Sequence, residues 1–515
     1  MKRLVVIMCV TLLALSMWAG RHSYVDHSVL RDGKIIKIRV EETGIHCLPY
    51  DTLLAWGLQP DKVRVLGYGG NMLSENFTQA KWDDLPSVAL YMHKGTDGVF
   101  GRDDYVLFYA QGPVKWEYKG GRWRHTQNPY SKYGYYFLSD NAGEQRLIDQ
   151  AEELDGTNAY DVDWYVDYRV HEKDLVNLID ISGKSGGGRE FYGEAFQGEN
   201  KQLSVTFDTR NVLLDKVMTC YVDLAGVASE KSRFVVTLAG ERATVSIAAI
   251  KSSDFYIKAQ HDTLELSTKA TSNGAQKVNI SYSATLDNVV GYLNYIELNV
   301  PCALVMQGDE MAISNVAYLS TNPHKKVNTR FVLSGASNST QIWRVTDGVN
   351  IQQMTTQREG DILKWVGGNT QAEKYVAVNV NASNWKKPYN MGAVKNQDLH
   401  ALRNVDYVII CPEEFVEPAI RLAKKHEEMD HLTWAVVTDE QVYNEFSSGT
   451  PDVSAYRWLM KMLYDRAGGN KVEAPKSLLL MGNASYDNRK LLGLSGVSKL
   501  LVYEAKNSTV ETHAY

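Results

Sequence analysis

The chain has 515 residues, of which 55 are Lys or Arg and 61 are Asp or Glu; its formal net charge is -6 and 44% of it is hydrophobic. That length exceeds what one hydrophobic core organises and calls for roughly three folded units. The basic residues are scattered, which excludes a nucleic-acid surface, and a charged content of 23% beside this apolar content excludes a disordered chain.

Lys2 and Arg3 precede an apolar run over residues 4–19 that ends in the small residues Ala19 and Gly20. A positive start, an apolar middle and a small-residue end are the order of a secretory leader, expected over 1–20. A retained anchor would need about 20 apolar residues. No later segment is apolar enough to span a bilayer, so export without a helical membrane span is the expectation.

Residues 21–200 read as a β-rich domain. Ile36, Ile38 and Val40 alternate with Lys37 and Arg39, the period of a strand with one buried face. Residues 63–66, 88–92 and 105–109 read as further strands, separated by glycine-rich turns at 67–71 and 95–101. Only 51–56 has a helical look. The chain carries 30 Tyr against 12 Phe, which suits half-buried strands whose rings pack and whose hydroxyls reach water, as over 130–137. An aromatic sugar-binding surface is the rarer alternative.

A second β series occupies 201–400 and reads as a sandwich-like domain. Leu203, Val205 and Phe207 alternate with Ser204 and Thr206, and Val278, Ile280, Tyr282, Ile296, Leu298 and Val300 keep the same period. The texture changes over 401–515. Short apolar strands at 406–411, 433–437 and 477–481 alternate with helical spacing at 414–428 and from Pro451 to about residue 467. Strand, helix, strand, helix, strand is the grammar of a parallel sheet, whose chemistry gathers at the carboxyl ends of its strands. The fold class expected is therefore mixed: β-rich, sandwich-like amino-terminal domains followed by a partial α/β domain with a parallel sheet.

Several local patterns bear on chemistry. Gly183, Lys184 and Ser185 imitate the end of a phosphate-binding loop, but Leu178 stands where its first glycine belongs. Asp97, Gly98, Gly101, Asp103 and Asp104 have the composition of a calcium loop without its spacing, so an acidic hairpin turn is expected. Cys9 lies in the leader, and Cys47, Cys220, Cys302 and Cys411 are far apart, without a CxxC or a Cys/His cluster. No metal, no cofactor and no identifiable disulfide pair are expected. Cys411, at the end of a strand, is the best-placed nucleophile, and His426 and His431 are the imidazoles near the next strand. Both histidines sit in a Lys- and Glu-rich stretch and Pro412 closes the strand, so a structural thiol is the expectation. Asn483, Ser485 and Asp487 follow the third strand in a loop that turn chemistry explains equally well.

Three pieces of this tail carry a resemblance: 406–415 (DYVIICPEEF), 436–452 (VVTDEQVYNEFSSGTPD) and 478–487 (LLLMGNASYD). They resemble the start of the gingipain-type, caspase-like cysteine peptidase domain. Upstream, 188–194 (GREFYGE), 97–109, 292–300 and 343–347 (WRVTD) resemble the β-rich part of the type IX secretion sortases of that family. The resemblance implies an exported protein of the outer membrane and cell surface, held there with an outer-membrane β-barrel partner. It implies protein substrates whose carboxy-terminal sorting signals are cut, and anionic lipopolysaccharide as an acceptor. A Cys thiolate attacks, a His moves the proton and backbone amides hold the oxyanion. In that family the His and Cys follow strands beyond the loop at Gly482, and Gly482-Asn483-Ala484 departs from its usual Gly-Asp-Gly turn. None of Cys47, Cys220, Cys302 or Cys411 corresponds in position, so no catalytic residue is carried over. The chain is expected to be an amino-terminal portion, inert by itself. A non-enzymatic β-sandwich binding or adhesion protein, and a secreted gingipain-like protease, remain the alternatives.

Overall fold

Ile36, Ile38 and Val40 all enter one core from the strand Ile35–Val40, as a period of two requires. This strand is an inner member of a sheet in the order Tyr389–Ala393, Ile35–Val40, Gly134–Ser139, Arg64–Leu66. Against it packs a second antiparallel sheet, Gly44–Pro49, Tyr105–Ala110, Leu90–His93. Val106, Phe108 and Tyr136 fill the space between them. The short helix falls at Tyr50–Ala55. The computed structural model describes residues 23–79, 82–141, 143–179, 186–286, 289–316, 319, 328–493 and 498–511. The leader with Lys2, Arg3 and Cys9, and the Gly183-Lys184-Ser185 stretch, lie outside the described residues.

A β-sandwich follows. One of its sheets runs Trp164–Glu172, Val290–Ala303, Val217–Val227, Gln260–Lys269, and the other Gln202–Phe207, Gln276–Ser283, Ser232–Leu238, Glu241–Ile247. Val222, Leu224, Ile296 and Leu298 meet Phe234, Val236, Val278 and Ile280 in one continuous core. Strands from both sides of residue 200 share this sandwich, because Trp164–Glu172 pairs along Val290–Ala303. The same core extends to two smaller sheets through Phe331, Trp365 and Tyr375, whose ring centroids lie 4.9 to 5.7 Å apart. The chain then returns to its first unit, where Tyr389–Ala393 pairs antiparallel with Ile35–Val40.

Beyond Arg403 the pattern becomes α/β. Tyr407–Cys411 pairs in parallel with Trp434–Thr438 on one side and with Ser477–Leu480 on the other. Alternate residues of the central strand serve opposite faces. Tyr407, Ile409 and Cys411 pack on the helix Val416–Asp430, while Val408 and Ile410 pack on the helices Asp439–Phe446 and Ser454–Arg466. Helices on both faces are what keep a parallel sheet out of water. Asp439–Phe446 is a helix that apolar periodicity passes over, because Val442 to Phe446 are buried all round. Its signal is a capping box: Thr438 Oγ1 accepts from Gln441 N at 3.1 Å, and Gln441 Oε1 accepts from Thr438 N at 2.9 Å. Among the described residues no helix is long and apolar enough to cross a membrane.

Candidate functional site

The strand order 434–438, 407–411, 477–480 puts the topological switch between Tyr407–Cys411 and Ser477–Leu480. The crevice at the carboxyl ends of these strands is where such a sheet binds and reacts. Cys411 ends the central strand, but its side chain points under the helix Val416–Asp430 and is fully buried. Burial pushes its thiol up to about 11, and Asp439 and Glu413 push the same way. Its Sγ lies 3.9 Å from the Val437 carbonyl oxygen. A thiol held there is protonated and unreactive. The thiols of Cys47, Cys220 and Cys302 are also buried, each pushed up to about 12 by burial.

The histidines stand at the opposite end of the sheet. His426 is paired with Asp430 at 2.6 Å and packs edge-on to Tyr407 with centroids 5.1 Å apart, and Tyr407 begins the strand that Cys411 ends. Five residues of extended chain span about 13 Å. His431 is the left-handed cap of the same helix, with φ 56°. The structure therefore does not bring Cys411, His426 and His431 together.

Asn483, Ser485 and Asp487 build the loop after the third strand. The Asn483 carbonyl accepts from Lys499 N and Leu500 N at 3.0 and 3.1 Å. Ser485 Oγ accepts from Asp487 N at 3.2 Å, and the buried Asp487 carboxylate accepts from Leu491 N and Leu492 N, both at 2.8 Å. The Ser485 and Asp487 side chains are spent on the loop's own backbone. In the upstream acidic turn, Asp97 likewise accepts from Val99 N at 2.9 Å and Asp104 from Gly101 N at 2.8 Å.

Beside the carboxyl ends of the first two strands lies a groove of about 810 Å³ lined by Lys37, Met391, Glu413, Thr438, Glu440 and Asn444, among others. Lys37 reaches in from the first sheet and donates to Asn444 Oδ1 at 3.0 Å and Glu440 Oε1 at 3.4 Å. Burial pulls its pKa down against the pull of Glu440. Asp439, at the same strand end, is pushed up to about 6, chiefly by burial. The groove offers carboxylates and an ammonium, and no nucleophile beside a base.

The tail's most specific piece docks the α/β unit. Residues 442–450 are all buried. Ser448 Oγ accepts from Tyr68 N at 2.9 Å and Gly69 N at 3.1 Å and donates to the Tyr135 carbonyl at 2.9 Å. Thr450 Oγ1 donates to the Gly69 carbonyl at 2.9 Å, and Asp452 accepts from Leu73 N at 2.8 Å. Gly67 and Gly449, both at positive φ, leave room for this insertion. A Cβ on Gly67 would lie 2.4 Å from Ser448 Oγ, and one on Gly449 2.8 Å from the Phe137 ring.

Beneath it lies an ionic knot that the sequence does not announce. His400 is fully buried, stacked on Phe446 at 4.7 Å, with Nδ1 2.6 Å from Glu445 Oε2 and Nε2 3.2 Å from Asp83 Oδ1. Burial lowers its pKa, but Asp83, Glu445 and Asp84 outweigh this and raise it to about 9. Glu445 also accepts from Leu399 N at 2.7 Å and His400 N at 3.0 Å. The ligand atoms of Asp84, His400 and Glu445 lie within 4.8 Å of one another, close enough to ring an ion. An imidazole facing carboxylates at both nitrogens is a cation, however, and a metal needs it neutral. The cluster fits an ionic lock better than a metal site.

The GREFYGE piece forms a second clamp. Gly188, at φ +73°, approaches so closely that a Cβ would lie 2.2 Å from the Asn507 carbonyl oxygen. Arg189 N donates to the Ala505 carbonyl at 3.0 Å, and its guanidinium pairs with Glu75 at 2.6 Å. Glu190 N donates to Ser508 Oγ at 2.9 Å, and Phe191 lies parallel to Tyr486 at 6.3 Å. Lys258 N and Ala259 N of the sandwich donate to the Thr509 carbonyl at 2.8 and 3.0 Å. Arg489 completes the seam with an ion pair to Asp174 at 2.7 Å.

Residues 400–514 match the family model of Peptidase family C25. Over 94% of the chain the fold is similar to a crystal structure of dimeric latent PorU from Porphyromonas gingivalis, at 28% identity and a TM-score of 0.82. The match covers 45% of that chain, so the present chain spans about half the length of this relative. A CBM36-1 domain of a multidomain xylanase from the hindgut metagenome of Trinervitermes trinervoides also matches, at 12% identity over 26% of this chain and 96% of that one. Its TM-score of 0.16 carries no argument. No curated protein matches the chain. The carboxy-terminal sheet thus carries the match to Peptidase family C25, a family of cysteine peptidases, and nearly the whole chain is similar in fold to PorU.

Proposed function

We propose that this chain serves a cysteine endopeptidase acting as a type IX secretion sortase at the bacterial surface. In this reading it cuts carboxy-terminal signals from secreted cargo, works beside an outer-membrane β-barrel partner and hands cargo to water or to anionic lipopolysaccharide. The observation that carries it is the likeness to PorU over 94% of the chain, with the C25 match at its carboxy-terminal part. An acyl-enzyme serves both outcomes, since the same thioester yields to water or to an amine.

The described thiols support a further part of this reading, that the chain by itself is catalytically silent. All four are buried, with pKa values pushed up to about 11 or 12, and among the described residues no cysteine is bonded to a histidine. The β-rich body and the first strands of the peptidase sheet then act as a scaffold. Deleting the gene should leave cargo at the surface with its carboxy-terminal signal uncut; cargo processed as in the parent strain would sink the sortase reading. Purified chain should release no product from fluorogenic peptides. Turnover abolished by Cys411→Ala would overturn the scaffold assignment.

A further inference from the structure

A cleft of about 570 Å³ is lined by Lys115 and Trp116 of the hairpin Val114–Lys119/Arg122–Gln127, with Lys374, Asn71, Gln111 and Tyr168. Its size is within the range of small-molecule sites, roughly 300–1,000 Å³. Lys374 extends from the strand Glu373–Asn379 to the hairpin, where its ammonium donates to the Trp116 carbonyl and lies 5.3 Å from the centre of the Trp123 ring. The neighbouring Lys115 has its carboxylate, Glu117 at 2.7 Å. Among the described residues none gives Lys374 an ion pair. Burial pulls this ammonium down to about 8, and Lys115 adds to the effect while Glu117 opposes it.

A largely buried cation without a counterion is costly to keep. In a cleft it marks a place prepared for a negative charge. Two further features shape what could bring that charge. The rings of Trp116 and Tyr168, 4.7 Å apart and tilted by 41°, present aromatic surface to the same space. The Asn71 amide donates to Gln111 Oε1 at 2.6 Å, while its other end is buried with no partner. An amide with one end unmatched invites a hydroxyl or amine from a ligand.

We propose that this cleft binds a small organic anion, a carboxylate or phosphate carried on a flat ring, with Lys374 as its counterion and Asn71 Oδ1 open to accept from a hydroxyl or amine on that ring. The inference concerns a binding site and does not depend on the peptidase reading. Calorimetric titration of the full chain with phenyl phosphate and with benzoate tests it, and whichever binds more tightly identifies the anion. Inorganic phosphate and phenol, the two halves of the first probe, should each bind at least tenfold more weakly. Lys374→Met, which keeps the stem over Trp123, should weaken the better probe at least tenfold, and Lys374→Arg should stay within about threefold of the parent. Binding should also weaken as pH rises above about 8. The proposal is overturned if neither probe saturates, or if Lys374→Met binds like the parent. Should Lys374→Met fail to fold, affinity that stays flat from pH 7 to 10 in the parent chain overturns it equally.

Discussion

The segments 438–452 and 477–493 belong to the same α/β unit and meet opposite fates. In the first, every residue from Val442 to Thr450 is buried, the helix in the unit's own core and Ser448 to Thr450 against the β-rich body. In the second, Leu478 and Leu480 remain 39% and 43% exposed on an edge strand, and the polar side chains after it bind their own loop. The difference lies in partners. Ser448, Thr450 and Asp452 find backbone groups of residues 68–135 waiting for them, whereas Asp487 and Ser485 find only neighbours. The most distinctive stretch of the tail thus owes its composition to docking, and distinctiveness by itself is no sign of catalysis.

This contrast breaks most easily at Glu445. Glu445→Ala removes the acceptor at His400 Nδ1, the acceptors of Leu399 N and His400 N, and one of the two acceptors of the Gln397 amide. Removing one partner of such a buried pair costs about 3–5 kcal/mol. Hydrogen exchange in the strand Tyr407–Cys411 should accelerate accordingly; unchanged protection would mean that the knot does not hold the unit down.

Alkaline pH probes the same knot without mutation. The folded pKa of His400, about 9, lies above its unfolded value of about 6.5. Its contribution is therefore complete below pH 6.5 and is lost as pH rises through about 9, amounting to a few kcal/mol at most. His125, held between Glu172 and Glu297 at 3.0 and 2.7 Å and also raised to about 9, titrates in parallel on the sandwich. Melting temperatures from pH 7 to 10 should fall in the parent, fall less in His400→Gln, and flatten further when His125→Gln is added.

Ser448→Ala should be milder. It strands Tyr68 N, Gly69 N and the Tyr135 carbonyl, at about 2 kcal/mol, and limited proteolysis at the junction should report it. At the exposed edge, Leu480→Ser should change stability by less than about 0.5 kcal/mol. A large loss there, read by the same proteolysis, would show that the edge is covered in solution.

The regular elements were largely legible because their signals are local. Period-two alternation found Ile35–Val40 and Gln202–Phe207, and short apolar runs bounded by prolines and helices found the three parallel strands. The helix Asp439–Phe446 escaped because a helix buried all round has no polar face to set its period; its capping box was the readable trace. The ionic knot escaped for a different reason. His400 and Asp83 are 317 residues apart in the chain, and Ser448 and Tyr68 are 380 apart, so no window of sequence holds both partners. GREFYGE stood out only by resemblance, since its use of Gly188 depends on a segment more than 300 residues downstream. Cys411 shows the converse. Its position at a strand end was plain, but which face of the sheet its thiol serves follows from a packing that only the fold displays.

The seam at Gly188 also has a mechanical meaning. Residues 505–509 lie across Arg189 and Lys258 through main-chain bonds, so a pull on this stretch away from the body loads those bonds before any tension reaches the parallel sheet. The sandwich thereby works as a strain relief, absorbing load at the periphery and shielding the strand ends where the geometry of a peptidase fold matters most.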